Sequence, residues 1–223
     1  MIIMNKKSLL IIAGCLLSGL WLAPAVQAHQ PRIVADSQLT LIKNPAVSQA
    51  FYGELKGREA YYLIDLKKEQ DLFLQILVPD LPGIARDKSA SVEYLPELGA
   101  KAEPFAKLDP AEAEWQKFYE EFAGDNYYRG PEVKRPAEPG YYAIKISSPE
   151  NQGKYVLVVG EQEEFPAAEM AKALLTVPQL KKNFFHEPAL EWFNGKAGKY
   201  AGGGLLAIII LGLMFHRFNK VIK

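Results

Sequence analysis

The sequence predicts a mainly β chain: an antiparallel β-sandwich with one inserted amphipathic helix, followed by a helical stalk and a single C-terminal transmembrane helix. Roughly seven short segments of alternating apolar and polar residues, each bounded by turn residues, have the spacing typical of a sandwich. One stretch, 109–123, has apolar residues at helical spacing instead. An uncharged apolar run, Tyr200 to Phe215, completes the layout near the C-terminus.

The strand segments include two pairs that we expect to form hairpins. These are 50–55 with 60–66, turning at Gly57, and 141–147 with 154–160, turning at 149–153. Glycine in the first turn supplies the positive φ that tight hairpins require. The segment Asp71 to Val78 is apolar on both faces, which is typical of a central strand, and Pro79 to Gly83 should end it.

The inserted helix has start and stop signals at both ends. Asp109 suits the N-cap, Pro110 the first helical position and Gly124 the C-terminal stop. The apolar face would consist of four aromatic residues, Trp115, Phe118, Tyr119 and Phe122. Such a face either packs against the sandwich or forms a platform for sugars or a partner. The next residues, 125–131, are expected to form a loop that displays Tyr127 and Tyr128.

The N-terminal residues 1–28 are predicted to be a secretory signal peptide. They combine a basic start, an apolar stretch from Leu9 to Leu22 and small residues before Ala28. Cleavage after Ala28 would make His29 the mature N-terminus. Two alternatives remain, lipidation of Cys15 in a lipobox-like context and an uncleaved anchor, and all three place the following domain outside the cytoplasm.

The C-terminal run is predicted to cross the membrane over 200–216. Lys199 and Arg217 flank it, and such side chains can extend the usable span of a short apolar helix. The basic tail 217–223 then lies in the cytoplasm. The predicted order is signal peptide, extracytoplasmic sandwich domain (29–165), juxtamembrane stalk (166–199), anchor and tail, with the protein in the cell membrane.

The stalk combines a helical pattern with aromatic residues that suit a membrane interface. Residues 166–175 read as a helix that Pro178 breaks, and the following stretch alternates bases with aromatics, Trp192 among them. We expect the stalk to lie near the outer leaflet or to dock a helix of a partner.

Charge and composition limit the classes of function. All 26 acidic residues but only 21 of the 26 Lys and Arg lie between the signal peptide and the anchor, which leaves the ectodomain near −5. Nucleic acid is therefore not an expected partner. Cys15 is the only cysteine, so the mature domain has no disulfide or cysteine metal site. The sequence has no nucleophile elbow or phosphate-binding glycine loop, and we expect no enzyme activity.

The sequence contains candidate ligands for two metals, copper and calcium. A mature N-terminal His29 would offer an amine and an imidazole nitrogen to Cu(II), with a carboxylate such as Asp36 as a further ligand. Calcium could be held by loop carboxylates, for which Asp80, Asp87 and Asp125 are candidates, although no Asp-x-Asp spacing occurs.

Several strand motifs resemble a known family. They are Phe51-Tyr52-Gly53-Glu54-Leu55 before Tyr61-Tyr62, Pro139-Gly140-Tyr141-Tyr142, and Gly153-Lys154-Tyr155-Val156-Leu157. They resemble the bacterial pre-peptidase C-terminal domains, which are jelly-roll-like β-sandwiches, over about residues 48–162. The layout as a whole also resembles a set of single-pass envelope proteins. The resemblance implies a non-catalytic accessory or binding module.

The sequence therefore predicts a membrane-tethered, non-catalytic module that binds a protein partner in the cell envelope. The expected contact residues are aromatic: Trp115, Tyr119, Tyr127, Tyr128 and Trp192. One alternative is an envelope glycan held on Trp115 or on the two tyrosines of the loop. Another is copper binding through His29.

Overall fold

A computed structural model describes residues 29–35 and 39–199, together with 202–204, 206, 209–210 and 212–213 of the C-terminal run. The chain is mainly β. Its strands are β1 (Gln30–Ile33), β2 (Leu39–Ile42), β3 (Gln49–Lys56), β4 (Ala60–Leu66), β5 (Gln70–Pro79), β6 (Ser89–Leu95), β7 (Glu103–Leu108), β8 (Gln116–Glu120), β9 (Asp125–Ala137), β10 (Gly140–Ser147) and β11 (Gln152–Val159). A helix, α1 (Ala167–Asn183), and a 3₁₀ helix (Ala189–Asn194) follow the last strand.

The strands form the two sheets of a sandwich, as predicted. The six-stranded sheet has the order β1-β3-β11-β5-β9-β8, and the five-stranded sheet has the order β2-β4-β10-β6-β7. Neighbouring strands are antiparallel except at one side of the sandwich, where β1 runs parallel to β3 and β2 parallel to β4. Strand β5 lies inside its sheet, which confirms the prediction of a central strand there, and it ends at Pro79.

The two predicted hairpins are wrong, because each turn connects strands of different sheets. Strand β3 pairs with β1 and β11, whereas β4 pairs with β2 and β10. Gly57 and Gly153 do have positive φ, 79° and 93°, but the chain crosses the sandwich at both turns. Alternating apolar residues specify which face of a strand is buried, and they leave its neighbour in the sheet undetermined.

The predicted helix over 109–123 is also wrong. Asp109 accepts a hydrogen bond from the Ala111 amide (3.0 Å), so its side chain closes a turn instead of capping a helix. The chain then enters strand β8, whose backbone pairs with β9. The aromatic residues of the supposed single face pack into separate clusters: Trp115 against the central core, Phe118 under α1, and Phe122 beside the 3₁₀ helix.

The main hydrophobic core lies between the two sheets. It contains inward-facing residues of both, among them Leu55, Ile64, Leu74, Ile144 and Leu157. A hydrogen bond between the hydroxyl groups of Tyr62 and Tyr155 (2.9 Å) joins the five-stranded sheet to the six-stranded sheet across this core.

A second cluster lies on the outer face of the six-stranded sheet, where α1 and the chain after it cover the strands. Ala50, Tyr52 and Val158 point away from the central core and pack against Leu180, Phe184 and Phe185. Because both of its faces are covered, β11 is buried almost throughout.

The segment 166–199, predicted to be a stalk, lies against the sandwich. Helix α1 continues through Pro178, so the prediction that this proline ends the helix is wrong. Further along, the amides of Lys196 and Ala197 donate to the carbonyl oxygens of Glu121 and Phe122 (2.8 and 3.0 Å). The start of the next helical turn, 196–199, is thereby attached to the β8–β9 connection.

The predicted signal peptide, Cys15 and the tail 217–223 lie outside the described residues, as does much of the predicted anchor. The described residues of the C-terminal run are helical, and Leu206, Ile209, Ile210 and Leu213 are exposed there. Within the described ranges, no helix is both long and apolar enough to span a membrane.

Candidate functional site

The aromatic residues predicted as a contact surface are spread over several parts of the fold. Trp115 is half-buried, and its indole N–H donates to the Pro110 carbonyl (3.1 Å) while its ring lies over Gly130. Trp192 is half-buried in the 3₁₀ helix, where it packs against the cluster around Phe122. Each indole ring therefore packs against the fold with at least one of its two faces.

The two tyrosines predicted in an exposed loop lie in strand β9, so that prediction is wrong. Tyr127 is only 1% exposed, and its hydroxyl group lies 3.2 Å from that of Tyr52 beneath the aromatic residues after α1. Tyr128 is half-buried, with the Arg86 guanidinium 4.5 Å from its ring centre. Strand pairing with β5 and β8 overrides the turn-like composition of this segment.

Tyr119 is the exposed member of the predicted set. Register places Tyr119 opposite Asn126 and Lys117 opposite Tyr128, so the two tyrosines are diagonal neighbours across β8 and β9. The structure thus brings this pair together and separates it from Tyr127, which points to the other face of the sheet.

His29 lines a cleft of about 640 Å³ on the six-stranded sheet. Its Nδ1 atom lies 2.5 Å from the Ser48 hydroxyl oxygen. Burial, together with the positive charge of Arg129, lowers the pKa of His29 to about 4. The imidazole is therefore neutral at pH 7, which is the form that can ligate a metal.

The same cleft is also lined by Glu120, which is buried at the end of β8. Its carboxylate oxygens accept hydrogen bonds from the amides of Phe122 and Ala123 (2.9 and 2.7 Å). Burial dominates over these hydrogen bonds and raises the pKa of Glu120 to about 7.

The metal hypotheses remain predictions. The described part of the chain contains no group of three or more His, Cys, Asp or Glu side chains arranged to hold a metal ion. Asp36, the further ligand suggested for copper, lies outside it. The calcium candidates each pair with a lysine: Asp80 with Lys117, Asp87 with Lys88 and Asp125 with Lys181.

The copper hypothesis predicts tight Cu(II) binding that a His29→Ala substitution removes. A titration of the wild-type protein that shows no tight binding would contradict this hypothesis.

A buried ion pair fastens α1 to the six-stranded sheet. The Lys181 ammonium lies 2.5 Å from an Asp125 carboxylate oxygen, and it also donates to the Gly124 carbonyl (3.2 Å). Both side chains are almost completely buried. Burial raises the pKa of Asp125, while the charge of Lys181 lowers it. This pair links the covering helix to the sheet beneath it.

The outer face of the five-stranded sheet has no such cover among the described residues. Its side of β2 and β4 carries Leu39, Leu41, Tyr61 and Leu63, with Leu41 opposite Leu63 and Leu39 opposite Tyr61 in register. The exposed fractions of Leu39, Leu41 and Tyr61 are 50%, 60% and 42%. We call these four residues the β2–β4 strip. Sequence reasoning missed the strip, although the alternation in Leu39-Thr40-Leu41-Ile42 was visible, because the sequence does not show which sheet α1 covers.

A groove of about 660 Å³ runs beside the strip, where the first strands of the two sheets lie at the same side of the sandwich. Strands β1 and β2 contribute Ile33 and Leu41, and Phe51 lies among the lining residues from the core. Residues of α1, among them Glu169 and Lys172, close the other side. The groove therefore borders both the covered and the uncovered part of the molecule.

The chain has structural similarity to several solved proteins at low sequence identity. No family model and no curated protein matches the chain. Among solved structures, it is similar to the pre-peptidase C-terminal domain of a collagenase from Bacillus anthracis, with 12% identity over 56% of this chain and 97% of that one (TM-score 0.34). It is also similar to CorA, a surface-associated copper-binding protein of Methylomicrobium album BG8, with 11% identity over 58% and 98% of the two chains (TM-score 0.29).

A β-glucosidase from Paenibacillus barengoltzii matches with 8% identity over 59% of this chain and 13% of the enzyme (TM-score 0.22). At such identities and TM-scores, the similarity concerns the β-sandwich alone. The two sheets of the chain themselves show that it is a β-sandwich module, and no functional conclusion rests on these three proteins.

Proposed function

We propose that the protein is a non-catalytic, extracytoplasmic binding module, tethered to the membrane by its C-terminal helix, that binds a protein partner in the cell envelope. The observation that supports the proposal is the β2–β4 strip, an apolar surface in strand register on the outer face of the five-stranded sheet, which no described element covers. Contiguous exposed apolar residues rimmed by polar ones are typical of interaction sites.

The rim of the strip is polar and ionic. Asp65 pairs with Lys67 (2.5 Å) at one end of β4, and Glu59 pairs with Lys145 (3.2 Å) at the other end. An apolar centre within a charged rim has the composition of many protein–protein interfaces. Burying Leu41 and Leu39 against a partner would remove from water apolar surface that the fold leaves exposed.

A protein ligand suits this surface better than a glycan does. Sugar rings stack on flat aromatic faces, and the strip is mainly aliphatic. Trp115 and Tyr127, expected to hold a glycan, are engaged in packing, and Tyr127 is buried. The contact surface proposed here therefore differs from the aromatic residues that the sequence favours.

The membrane tether is supported by the C-terminal residues. The described positions of the apolar run are helical and present large aliphatic side chains to the surroundings. Such exposure is costly in water and favourable in lipid. The secretory pattern of residues 1–28 supports the extracytoplasmic location of the sandwich.

The test is site-specific photo-crosslinking of the full-length protein in the membranes of cells that produce it. A photo-reactive phenylalanine derivative replaces Leu41 or Tyr61 in the strip, and in matched controls it replaces Leu98 or Leu175. The controls are also exposed, at 66% and 71%, but they lie in the β6–β7 loop and on α1.

We expect a discrete crosslinked protein of reproducible mass from positions 41 and 61, and none from positions 98 and 175. Crosslinks to lipid or to no molecule at the strip positions would overturn the proposal. So would equal yields from all four positions, because that result would show collision with abundant proteins instead of binding.

A further inference from the structure

The 3₁₀ helix Ala189–Asn194, which lies between α1 and the C-terminal run, exposes apolar side chains. Leu190 is 73% exposed and Phe193 is 42% exposed. Trp192 is half-buried, and its ring centre lies 4.7 Å from that of Phe193. We call these three residues the 3₁₀ patch. It is an apolar and partly aromatic surface that no described element covers completely.

The 3₁₀ patch is firmly attached to the sandwich. Trp192 packs against the cluster that contains Phe122 and Ala123 of the β8–β9 connection. Just after the 3₁₀ helix, a Cβ atom on Gly195 would lie 2.4 Å from the Phe122 carbonyl oxygen, so only glycine permits this approach. The amide of Ala197 then donates to the same carbonyl (3.0 Å). The patch therefore cannot move independently of the β8–β9 connection.

The same patch also contacts the beginning of the C-terminal helix. A Cβ atom on Gly198 would lie 2.3 Å from the Trp192 carbonyl oxygen, which shows how closely the two backbones approach. One turn further along, the Phe193 ring lies 3.5 Å from the position that a Cβ atom would take on Gly202. The apolar run begins at Tyr200. The 3₁₀ patch thus lies beside the helix at the level where its apolar part starts.

The length of the apolar run indicates what should surround the patch. A helix of the sixteen uncharged residues 200–215 would be about 24 Å long, whereas the hydrocarbon core of a bilayer is about 30 Å thick. Short membrane helices are accommodated by local thinning of the bilayer and by aromatic and basic residues at the interface. The patch supplies aromatic rings at this end, and the exposed Lys199 supplies an ammonium group for lipid phosphates.

From these contacts, we infer that the 3₁₀ patch lies in the extracytoplasmic interface of the lipid bilayer and fixes the orientation of the sandwich on the membrane. The inference rests on the membrane tether of the proposed function, to which it adds a second contact with lipid. Leu190 and Phe193 would leave water for the boundary between headgroups and acyl chains, which is favourable for apolar side chains.

A second contact is needed because the first turn of the tether is rich in glycine. The residues 202–204 are three consecutive glycines within the helix. Each glycine destabilises a helix by about 1 kcal/mol relative to alanine. At Gly203 packing does not require glycine, since a Cβ atom there would meet no other atom within 4 Å. With the tether alone, the sandwich could tilt at this turn, and the inserted patch prevents that movement.

The predicted orientation places the β2–β4 strip away from the bilayer. The patch is attached beside β8, which lies at the opposite end of its sheet from β1. Six strands spaced by about 4.8 Å separate these two edges by about 24 Å. Strand β2 lies on the same side of the sandwich as β1. The strip therefore lies on the side that a protein partner in the envelope can reach.

A protein is a less suitable occupant of the 3₁₀ patch than lipid. Stable protein interfaces usually bury about 800 Å² on each partner. Three side chains of a six-residue helix do not provide that area. A bilayer needs no such area, because the C-terminal helix already holds the patch at its surface, and each apolar side chain that enters the lipid adds to the binding.

The experiment measures how deep individual positions lie in the membrane. A nitroxide label is attached to a cysteine that replaces Leu190 or Phe193 in the full-length protein, with Cys15→Ser in every variant. The protein is reconstituted in phosphatidylcholine vesicles that contain anionic phosphatidylglycerol. Oxygen concentrates among acyl chains and a nickel chelate stays in water, so the ratio of their collision rates with the label reports depth.

Labels at four other positions provide the comparison. Position 209 reports on the C-terminal helix, and positions 98 and 175 are exposed on the β6–β7 loop and on α1. We expect the ratio of oxygen to nickel collisions at positions 190 and 193 to lie between the high value at 209 and the low values at 98 and 175. A label at position 41, in the strip, should match the two low values.

A charge in the patch provides an independent readout. Leu190 is largely exposed, so Leu190→Glu should not disturb the fold. It should lower the lipid-facing population of a label at position 193 about tenfold, because burial of a leucine is lost and a carboxylate resists leaving water. The matched variant Leu175→Glu places the same charge on α1 and should leave the label at 193 unchanged.

The outcomes separate this inference from the tether. A water-like ratio at position 209 would overturn both. A lipid-like ratio at 209 with water-like ratios at 190 and 193 would overturn the inference and leave the tether in place. Labels at 190 and 193 that neither reagent reaches would also overturn it, because protein would then cover the patch. So would equal effects of Leu190→Glu and Leu175→Glu, or a lipid-like ratio at position 41.

Discussion

The two outer faces of the sandwich differ in whether another element of the chain covers them. The six-stranded sheet is covered by α1 and by Phe184 and Phe185, and the buried Lys181–Asp125 pair fastens this cover. The five-stranded sheet leaves Leu41 and Tyr61 largely exposed. Within the described ranges, the chain thus covers one outer face of the sandwich and leaves an apolar surface on the other.

This difference distinguishes apolar residues that stabilise the fold from those available for binding. Burial on the covered face contributes to the free energy of folding, because those side chains lose contact with water when the chain folds. Residues of the β2–β4 strip remain in contact with water, so their apolar surface can contribute to the free energy of binding. Substitutions on the two faces should therefore change different measured quantities.

The largest expected effect is the loss of the buried lysine. Lys181→Met leaves the Asp125 carboxylate buried without its cation, so we expect the free energy of unfolding to fall by about 3–5 kcal/mol. Urea unfolding of the detergent-solubilised full-length protein measures the change. The neighbouring Lys182 is exposed and provides the matched control Lys182→Met, which should change stability by less than about 0.5 kcal/mol. Equal effects of the two variants would contradict the role of the ion pair.

Truncation of an apolar side chain on the covered face of the six-stranded sheet should have the next largest effect on stability. Phe184 is buried and packs edge-on against Tyr52, with ring centres 5.3 Å apart. We expect Phe184→Ala to lower the free energy of unfolding by about 3 kcal/mol, because it creates a cavity between helix and sheet. Leu41→Ala on the other face is the control, at about 0.5 kcal/mol or less. A similar loss from both variants would mean that the two faces are equally covered.

The covered side should also determine part of the pH dependence of stability. Glu120 has a folded-state pKa of about 7, above its unfolded value of 4.5, so its contribution to stability decreases as the pH rises between these values. His29 has a folded-state pKa of about 4, below its unfolded value of 6.5, so its contribution decreases as the pH falls through that range. Each contribution, integrated over the full range between the two pKa values, is about 3 kcal/mol.

Two variants separate these contributions in the full-length protein. Between pH 4.5 and 6.5 the two groups act in opposite directions. Compared with the wild type, Glu120→Gln should therefore make the free energy of unfolding rise more steeply with pH. His29→Gln should make the free energy of unfolding fall with rising pH. Urea midpoints across this pH range measure the slopes, and unchanged slopes in both variants would show that neither group titrates as described.

The smallest expected change in stability is at the strip, where binding should change most. Leu41→Lys places a charge on the exposed outer face of β2, so we expect stability to change by less than about 0.5 kcal/mol. Crosslinking of the partner from position 61 should nevertheless be lost, because binding would bury the new charge in an apolar contact. A variant that unfolds, or one that retains full crosslinking, would contradict the assignment of this face to binding.

Several errors in the sequence-based prediction have one physical cause. The signals at Asp109, Pro110 and Gly124 are real local preferences, and the structure uses Asp109 in a turn and Gly124 at positive φ. They do not end a helix here, because the segment between them forms β8 and pairs with β9, and local sequence does not specify that pairing. The same holds for Tyr127, whose neighbours suggest a loop but whose backbone pairs inside a sheet.

The candidate surface was partly visible in the sequence. Alternation in β2 and in Ala60 to Leu66 predicts that Leu41 and Tyr61 lie on one face and Ile42 and Tyr62 on the other, as observed. What it could not predict is which of the faces another element covers. That depends on α1, more than 100 residues after β2 in the chain.

The sequence by itself determined the class of the fold and the position of most strands, because these follow from the local alternation of apolar residues. Only the tertiary structure decided which strands are neighbours, where α1 lies and which outer face no described element covers. Those features depend on contacts between residues far apart in the chain, and many pairings are compatible with the same local pattern. The exposed β2–β4 strip is a result of those contacts.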